Sequence, residues 1–212
     1  MRNKLIGLSI LALLAGCTSL RVGSDVAAGR RALLSGNNET ALAYFQNAAQ
    51  VDPNYRHGTA YQQSILSYVG RTEYAVGRLP QARQTLEKAL NANRDEDLTR
   101  LYLGLTLARS GDRQQGLKEI EGGMRGIHAW LDYINDAHRF SFGQFWDPAR
   151  DIRSAIQGDL AMISGREFDW QRLITSSEWI AQKMEEEGDN ARRDEARERS
   201  REGDSPDSPG NN

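Results

Sequence analysis

The strongest constraint on this 212-residue chain is a spacing of small residues that returns three times. Gly29 is followed by Gly36, then Ala41, Phe45 and Ala48, and Pro53 closes the first copy. The second copy reads Gly70, Gly77, Ala82, Leu86 and Ala89, and the third Gly104, Gly111, Gly116, Ile120 and Gly123. Copies two and three are 34 residues apart and copies one and two are 41 apart, so about seven residues are added between Pro53 and Ile65. The pattern predicts pairs of antiparallel helices. Gly29, Gly70 and Gly104 in each first helix face Ala41, Ala82 and Gly116 in the second, where lack of bulk permits close approach. Gly36, Gly77 and Gly111 end the first helices by taking a left-handed backbone, and Phe45, Leu86 and Ile120 fill the space toward the next pair. Units this short bury a core only by stacking.

Thirty-four residues is the tetratricopeptide period, and residues 24–126 resemble that family. The resemblance implies an all-α fold, a tetratricopeptide α-α superhelix of about three repeats. The chain departs from the family pattern at Gly116 and Gly123, where alanine is usual, and copies two and three lack the closing proline. A glycine inside a helix costs up to about 1 kcal/mol, so the second helix of the third repeat is expected to be the softest. In such arrays the first helices line a concave groove, reached by residues one, four and five places after the first-helix glycine. The resemblance therefore places Arg30, Leu33 and Leu34, then Arg71, Tyr74 and Ala75, then Leu105, Ala108 and Arg109 on its wall. Arg30, Arg71, Tyr74 and Arg109 form the expected partner-binding groove, its guanidinium forks suited to a carboxylate or acidic peptide. The competing reading has these arginines snorkelling along a solvated face or paired with nearby acids.

The N-terminus reads as an address. Met1-Arg2-Asn3-Lys4 is positive, Leu5 to Leu14 is apolar, and Leu14-Ala15-Gly16-Cys17 closes the run. Ten apolar residues are too few for a span of roughly 20 but suit a secretory signal. The closing four residues resemble the lipobox of bacterial lipoproteins. That resemblance implies a signal peptide over 1–16, acylation of Cys17 and a lipidated linker over 17–23. Two or more acyl chains make such an anchor effectively permanent. Thr18 and Ser19 follow the cysteine where an Asp would otherwise signal retention, which in enterobacterial lipoproteins implies the outer membrane, facing the periplasm.

Residues 127–187 form an expected aromatic-rich helical cap. Trp130, Tyr133, Phe140, Phe142, Phe145 and Trp146 crowd its first part. Asp147-Pro148 reads as an N-cap with proline in the first turn, opening a helix through about Ile163, and a second helix follows over about 169–187. A solenoid has to cover its last apolar face, and these helices are the natural cover, although their aromatics could also form a partner site. From Gly188 to Asn212 no large apolar residue occurs, so 188–212 is expected to be a disordered charged tail.

Composition narrows the chemistry. One cysteine excludes an intramolecular disulfide framework, and a formal charge of −2 gives no footprint for nucleic acid. His57, His128 and His138 lack the spacing that puts two imidazoles on one helical face for a metal. The i,i+4 acid pairs Asp132/Asp136 and Asp147/Asp151 are commonplace, and no nucleophile or phosphate-loop motif is present. No metal, no cofactor and no catalysis are expected. The reading favoured by the residues is a lipid-anchored adaptor that docks a protein or peptide at the periplasmic face and helps assemble or position an envelope complex. The alternative is a small-molecule or glycan pocket in the aromatic segment.

Overall fold

The computed structural model describes residues 20–58, 60–165 and 168–203. Cys17 and the signal peptide expected over 1–16 lie outside the described residues. Among the described residues the fold is all-α apart from one short hairpin, and the chain divides into two compact units, Met1–Ile120 and Glu121–Asn212.

In the first unit, helix α1 (20–34) is followed by α2 (Asn38–Val51), a ladder of β1 (Arg56–His57) with β2 (Gln63–Ser64), α3 (Ile65–Ala75), α4 (Leu79–Ala92) and α5 (Asp97–Arg109). The first turns of α6 (Arg113–Ala137) complete it. Each first helix stops in the same way. Gly36, Gly77 and Gly111 sit at φ of 77°, 80° and 99°, and the residue after each donates its N–H back to Ala32, Glu73 and Leu107 respectively, at 2.8, 2.8 and 3.0 Å. This glycine-terminated helix end satisfies carbonyls that the helix leaves unpaired. Asn37 caps α2 through the Thr40 N–H, and Pro80 opens α4.

In the first two pairs the close approaches fall one turn later than the spacing suggested, while Gly104 faces Gly116 as expected. A methyl added at Gly29 would stand 2.6 Å from the Phe45 ring, and one at Gly70 would stand 2.6 Å from Leu86 Cγ. Each glycine therefore makes room for the large residue of its own partner helix, and Ala41 and Ala82 are not its nearest neighbours. In the third pair the backbones themselves meet, with Gly104 against the Ile120 amide and the Gly116 carbonyl. Two small residues facing each other permit this, which is why Gly116 stands where the other copies carry alanine.

The added residues after Pro53 form the β hairpin, which the helical pattern had not anticipated. The expected linker 17–23 also needs correction. Residues 20–23 are helical, and Val22 and Val26 are buried, so α1 belongs to the folded body from Leu20 onward.

The second unit comprises the remainder of α6, a 3-10 turn (Phe142–Phe145), α7 (Asp151–Ser164) and α8 (Trp170–Gly203). α7 packs on α8, and the 3-10 turn packs on α8. The helix expected to open at Asp147-Pro148 starts at Asp151 instead. Asp147 and Arg150 hold φ of 45° and 61°, and a tight turn bonds the Arg150 N–H to the Asp147 carbonyl at 2.9 Å. Asp147 still caps the helix, accepting from the Ile152 and Arg153 N–H groups at 3.0 and 3.2 Å. The tail expected to be disordered from Gly188 continues α8 as far as Gly203. Proline does not recur until Pro206, Ala191 is buried, and Arg197 pairs with Asp194 at 3.2 Å along the helix. Residues 204–212 lie outside the described residues.

Candidate functional site

The four residues expected on the groove wall are not displayed together. Arg71 is only 2% exposed, Arg30 and Tyr74 are also buried, and Arg109 alone is exposed. The correction follows one rule in all three copies. The position one after the glycine (Arg30, Arg71, Leu105) is buried each time, and the position five after it (Leu34, Ala75, Arg109) is exposed each time.

The hairpin takes part in holding the arginines inside. His57 and Gln63 are partners across the ladder. The Arg30 guanidinium donates to His57 Nε2 at 3.2 Å, and Arg71 donates to Gln63 Oε1 at 2.8 Å. Between them lies Tyr68. The Arg71 guanidinium carbon is 3.9 Å from its ring centroid, the Phe45 ring is 4.9 Å away, and His57 approaches edge-on at 6.1 Å. A weakly hydrated, planar cation is the side chain best suited to such an aromatic interior.

The neighbouring ladder pair does the opposite job. Successive strand residues point to opposite faces, and Arg56 and Ser64 both reach Glu96 just before α5. Glu96 Oε1 accepts from Arg56 Nη1 at 3.0 Å and from the Ser64 N–H at 3.1 Å, while Oε2 accepts from the Ser64 and Thr99 hydroxyls at 2.9 Å each. The carboxylate is buried and fully occupied, with hydrogen bonds to an ionised acceptor worth about 1.5–3 kcal/mol each. This is a structural knot that fastens the hairpin to the third helical pair.

Sequence reasoning weighed His57 only as a metal ligand and missed Gln63, Tyr68 and Glu96. The available signal was the 41-residue spacing, since residues added to a fixed period have to do something the period does not.

Partial burial pushes the Asp97 carboxyl up to about 6, with Arg100 pulling it down and Asp95 pushing it further up. Burial also raises Glu73, which the Thr85 hydroxyl and Arg78 partly offset.

The exposed row ends at Arg109, whose guanidinium carbon lies 4.9 Å from the centroid of the Tyr74 ring, and that ring meets Tyr102 edge-on at 5.7 Å. Tyr74 thus supports the site from beneath without facing solvent.

In the second unit the expected acid pairs dissolve into separate partnerships. Asp132 takes His128 Nδ1 at 3.1 Å and Arg153 at 3.6 Å, and Asp147 takes Arg153 Nε at 2.9 Å. The Gln157 amide and His128 Nε2 stand 2.9 Å apart, so both ring nitrogens are engaged. Part of the aromatic segment packs on itself, with Trp146 5% exposed and edge-on to Trp130 at 4.7 Å and His138 stacked on Phe142 at 4.4 Å, whereas Tyr133 and Phe140 are exposed. Among the described residues no group of three or more His, Cys, Asp or Glu side chains could hold a metal ion, and no helix is long and apolar enough to cross a membrane. In comparisons with family models, curated proteins and solved structures, nothing matches the chain.

Proposed function

We propose that the chain is a lipid-anchored tetratricopeptide adaptor of the bacterial envelope, non-enzymatic, which docks a protein or peptide partner and helps assemble or position an envelope complex from the periplasmic face of the outer membrane. The observation that carries the reading is the threefold recurrence of one device: a left-handed glycine ends the first helix, and another glycine earlier in that helix makes room for the returning helix. Serial helical pairs built this way form a superhelix whose successive equivalent positions make a continuous surface. In this chain the usable row is Leu34, Ala75 and Arg109, with Arg30 and Arg71 spent on the interior.

Arg109 supplies the charge that selects an acidic or carboxylate-bearing segment, and Leu34 supplies apolar area beside it. The aromatic segment supports the alternative, a small-molecule or glycan pocket, less well, because Trp130 and Trp146 already fill one another's space.

The test is photo-crosslinking in intact cells from a probe at position 75. One dominant envelope protein is expected, lost on Arg109→Glu and retained in Arg83→Glu, which alters an exposed arginine elsewhere. Identical products from both variants would remove the row from consideration. Loss of radiolabelled palmitate on Cys17→Ser tests the anchor separately.

A further inference from the structure

The described part of α1 begins at Leu20, three residues after Cys17. Whatever the conformation between them, three residues span at most about 11 Å. The helix cannot swing away to lengthen that reach, because Val22 and Val26 are buried and fix its first turns to the first unit. At the point where a tether would arrive, Leu20 is 77% exposed. Arg21 and Ser24 are exposed beside it. Leu20 and Ser24 lie one turn apart on one face, with the buried valines turned elsewhere.

We infer that the first turn of α1 rests on the phospholipid surface itself, with Leu20 in the acyl boundary and Arg21 among the lipid phosphates. The inference rests on the acylation of Cys17 proposed above. An isolated leucine and one arginine bind a bilayer weakly, a cation adding about 1 kcal/mol near an anionic surface. Permanent confinement within about 11 Å of that surface makes even weak contacts persistent. A consequence for the adaptor follows from helix length. Leu34, at the far end of α1, lies about 21 Å along the axis from Leu20, so it stands no more than about 32 Å from the lipidated residue. The partner is therefore engaged beside the membrane and not deep in the periplasm.

An environment-sensitive fluorophore placed by Leu20→Cys on the full-length acylated protein tests this. Acylation consumes the Cys17 thiol, leaving the introduced thiol as the reactive one. In vesicles of phosphatidylethanolamine and phosphatidylglycerol, the label is expected to emit to the blue and to be quenched several-fold more by nitroxide lipids than the same label at the exposed Gln81. Arg21→Glu should reduce that quenching while leaving the thermal melt unchanged. A water-like signal at position 20 on protein whose Cys17 is acylated by mass spectrometry overturns the inference alone. So does copy-to-copy crosslinking through position 20, which would mean that a second chain covers the leucine. An unmodified Cys17 overturns the anchor and the inference together.

Discussion

His57 and Gln63 face each other across a two-residue ladder, and each closes on a different arginine, Arg30 and Arg71. One cross-strand pair thereby joins helices from two successive helical pairs, and it does so from the only stretch that breaks the chain's repeat spacing. Arg71→Ala should cost about 2–4 kcal/mol, since it empties the space above Tyr68 and strands the Gln63 amide. Arg109→Ala, on the exposed row, should change stability by less than about 0.5 kcal/mol. Urea midpoints of the two variants check the contrast, and equal losses would mean that the exposed row is structural too.

Glu96 is the acceptor on which the hairpin depends. Glu96→Ala leaves the Ser64 N–H, the Ser64 and Thr99 hydroxyls and Arg56 without their carboxylate, and should lower stability by about 3–5 kcal/mol. Glu96→Gln keeps the shape but not the charge and should fall between that variant and the parent. Hydrogen exchange should show protection of the Ser64 amide lost first.

The glycines of the three pairs are not equivalent. At Gly29 an added methyl meets the Phe45 ring, which can shift, whereas at Gly104 it meets the Ile120 amide nitrogen at 2.5 Å and the Gly116 carbonyl at 2.8 Å. Backbone cannot yield without parting the helices. Gly104→Ala should therefore destabilise by about 2–3 kcal/mol despite the better helix propensity of alanine, and Gly29→Ala by less. Calorimetric melting of the two variants decides the order.

Asp97 gives the first unit a pH dependence of defined sign. Its folded-state pKa is raised, from an ordinary 3.8 to about 6, so the folded chain holds the proton more tightly than the unfolded one. The group is least unfavourable below about pH 4 and becomes progressively destabilising as pH rises toward about 6. Asp97→Asn should flatten the fall in stability across that window and raise stability at pH 7. A parent-like slope in the variant would assign the dependence to Glu73, which carries the same sign.

Asp147 combines a left-handed backbone with a double cap on α7 and an ion pair to Arg153. Asp147→Ala removes all of the side-chain bonds and should cost about 2–4 kcal/mol. Asp147→Asn keeps one cap acceptor and tolerates the positive φ, so its loss should be nearer half. Denaturant midpoints monitored by tryptophan fluorescence would report both, because Trp146 is adjacent.

Much of the helical pairing was legible because it is local. A glycine at a helix end, or facing a large residue at a fixed offset, is required by backbone geometry whatever lies nearby. The offset itself was read one turn early in the first two pairs, since spacing shows which helices approach but not which side chain occupies the gap. The threefold register was legible, but the expected exposure of Arg30, Arg71 and Tyr74 was wrong. Arg30 and Arg71 looked like Arg109 in the sequence, and their difference lies in His57, Gln63 and Tyr68, residues up to 27 positions away. The end of α8 failed for a related reason: a charged, apolar-poor segment has no signal of its own, yet it remains helical with Ala191 buried.

The sequence by itself determined that this chain is helical, that its first helices end at Gly36, Gly77 and Gly111, and that something irregular follows Pro53, because each of these depends on neighbours within a few bonds. Only the tertiary structure decided which charges face water. Burial of a guanidinium depends on partners brought from distant positions, and a period repeated along the chain cannot show what an added hairpin will cover.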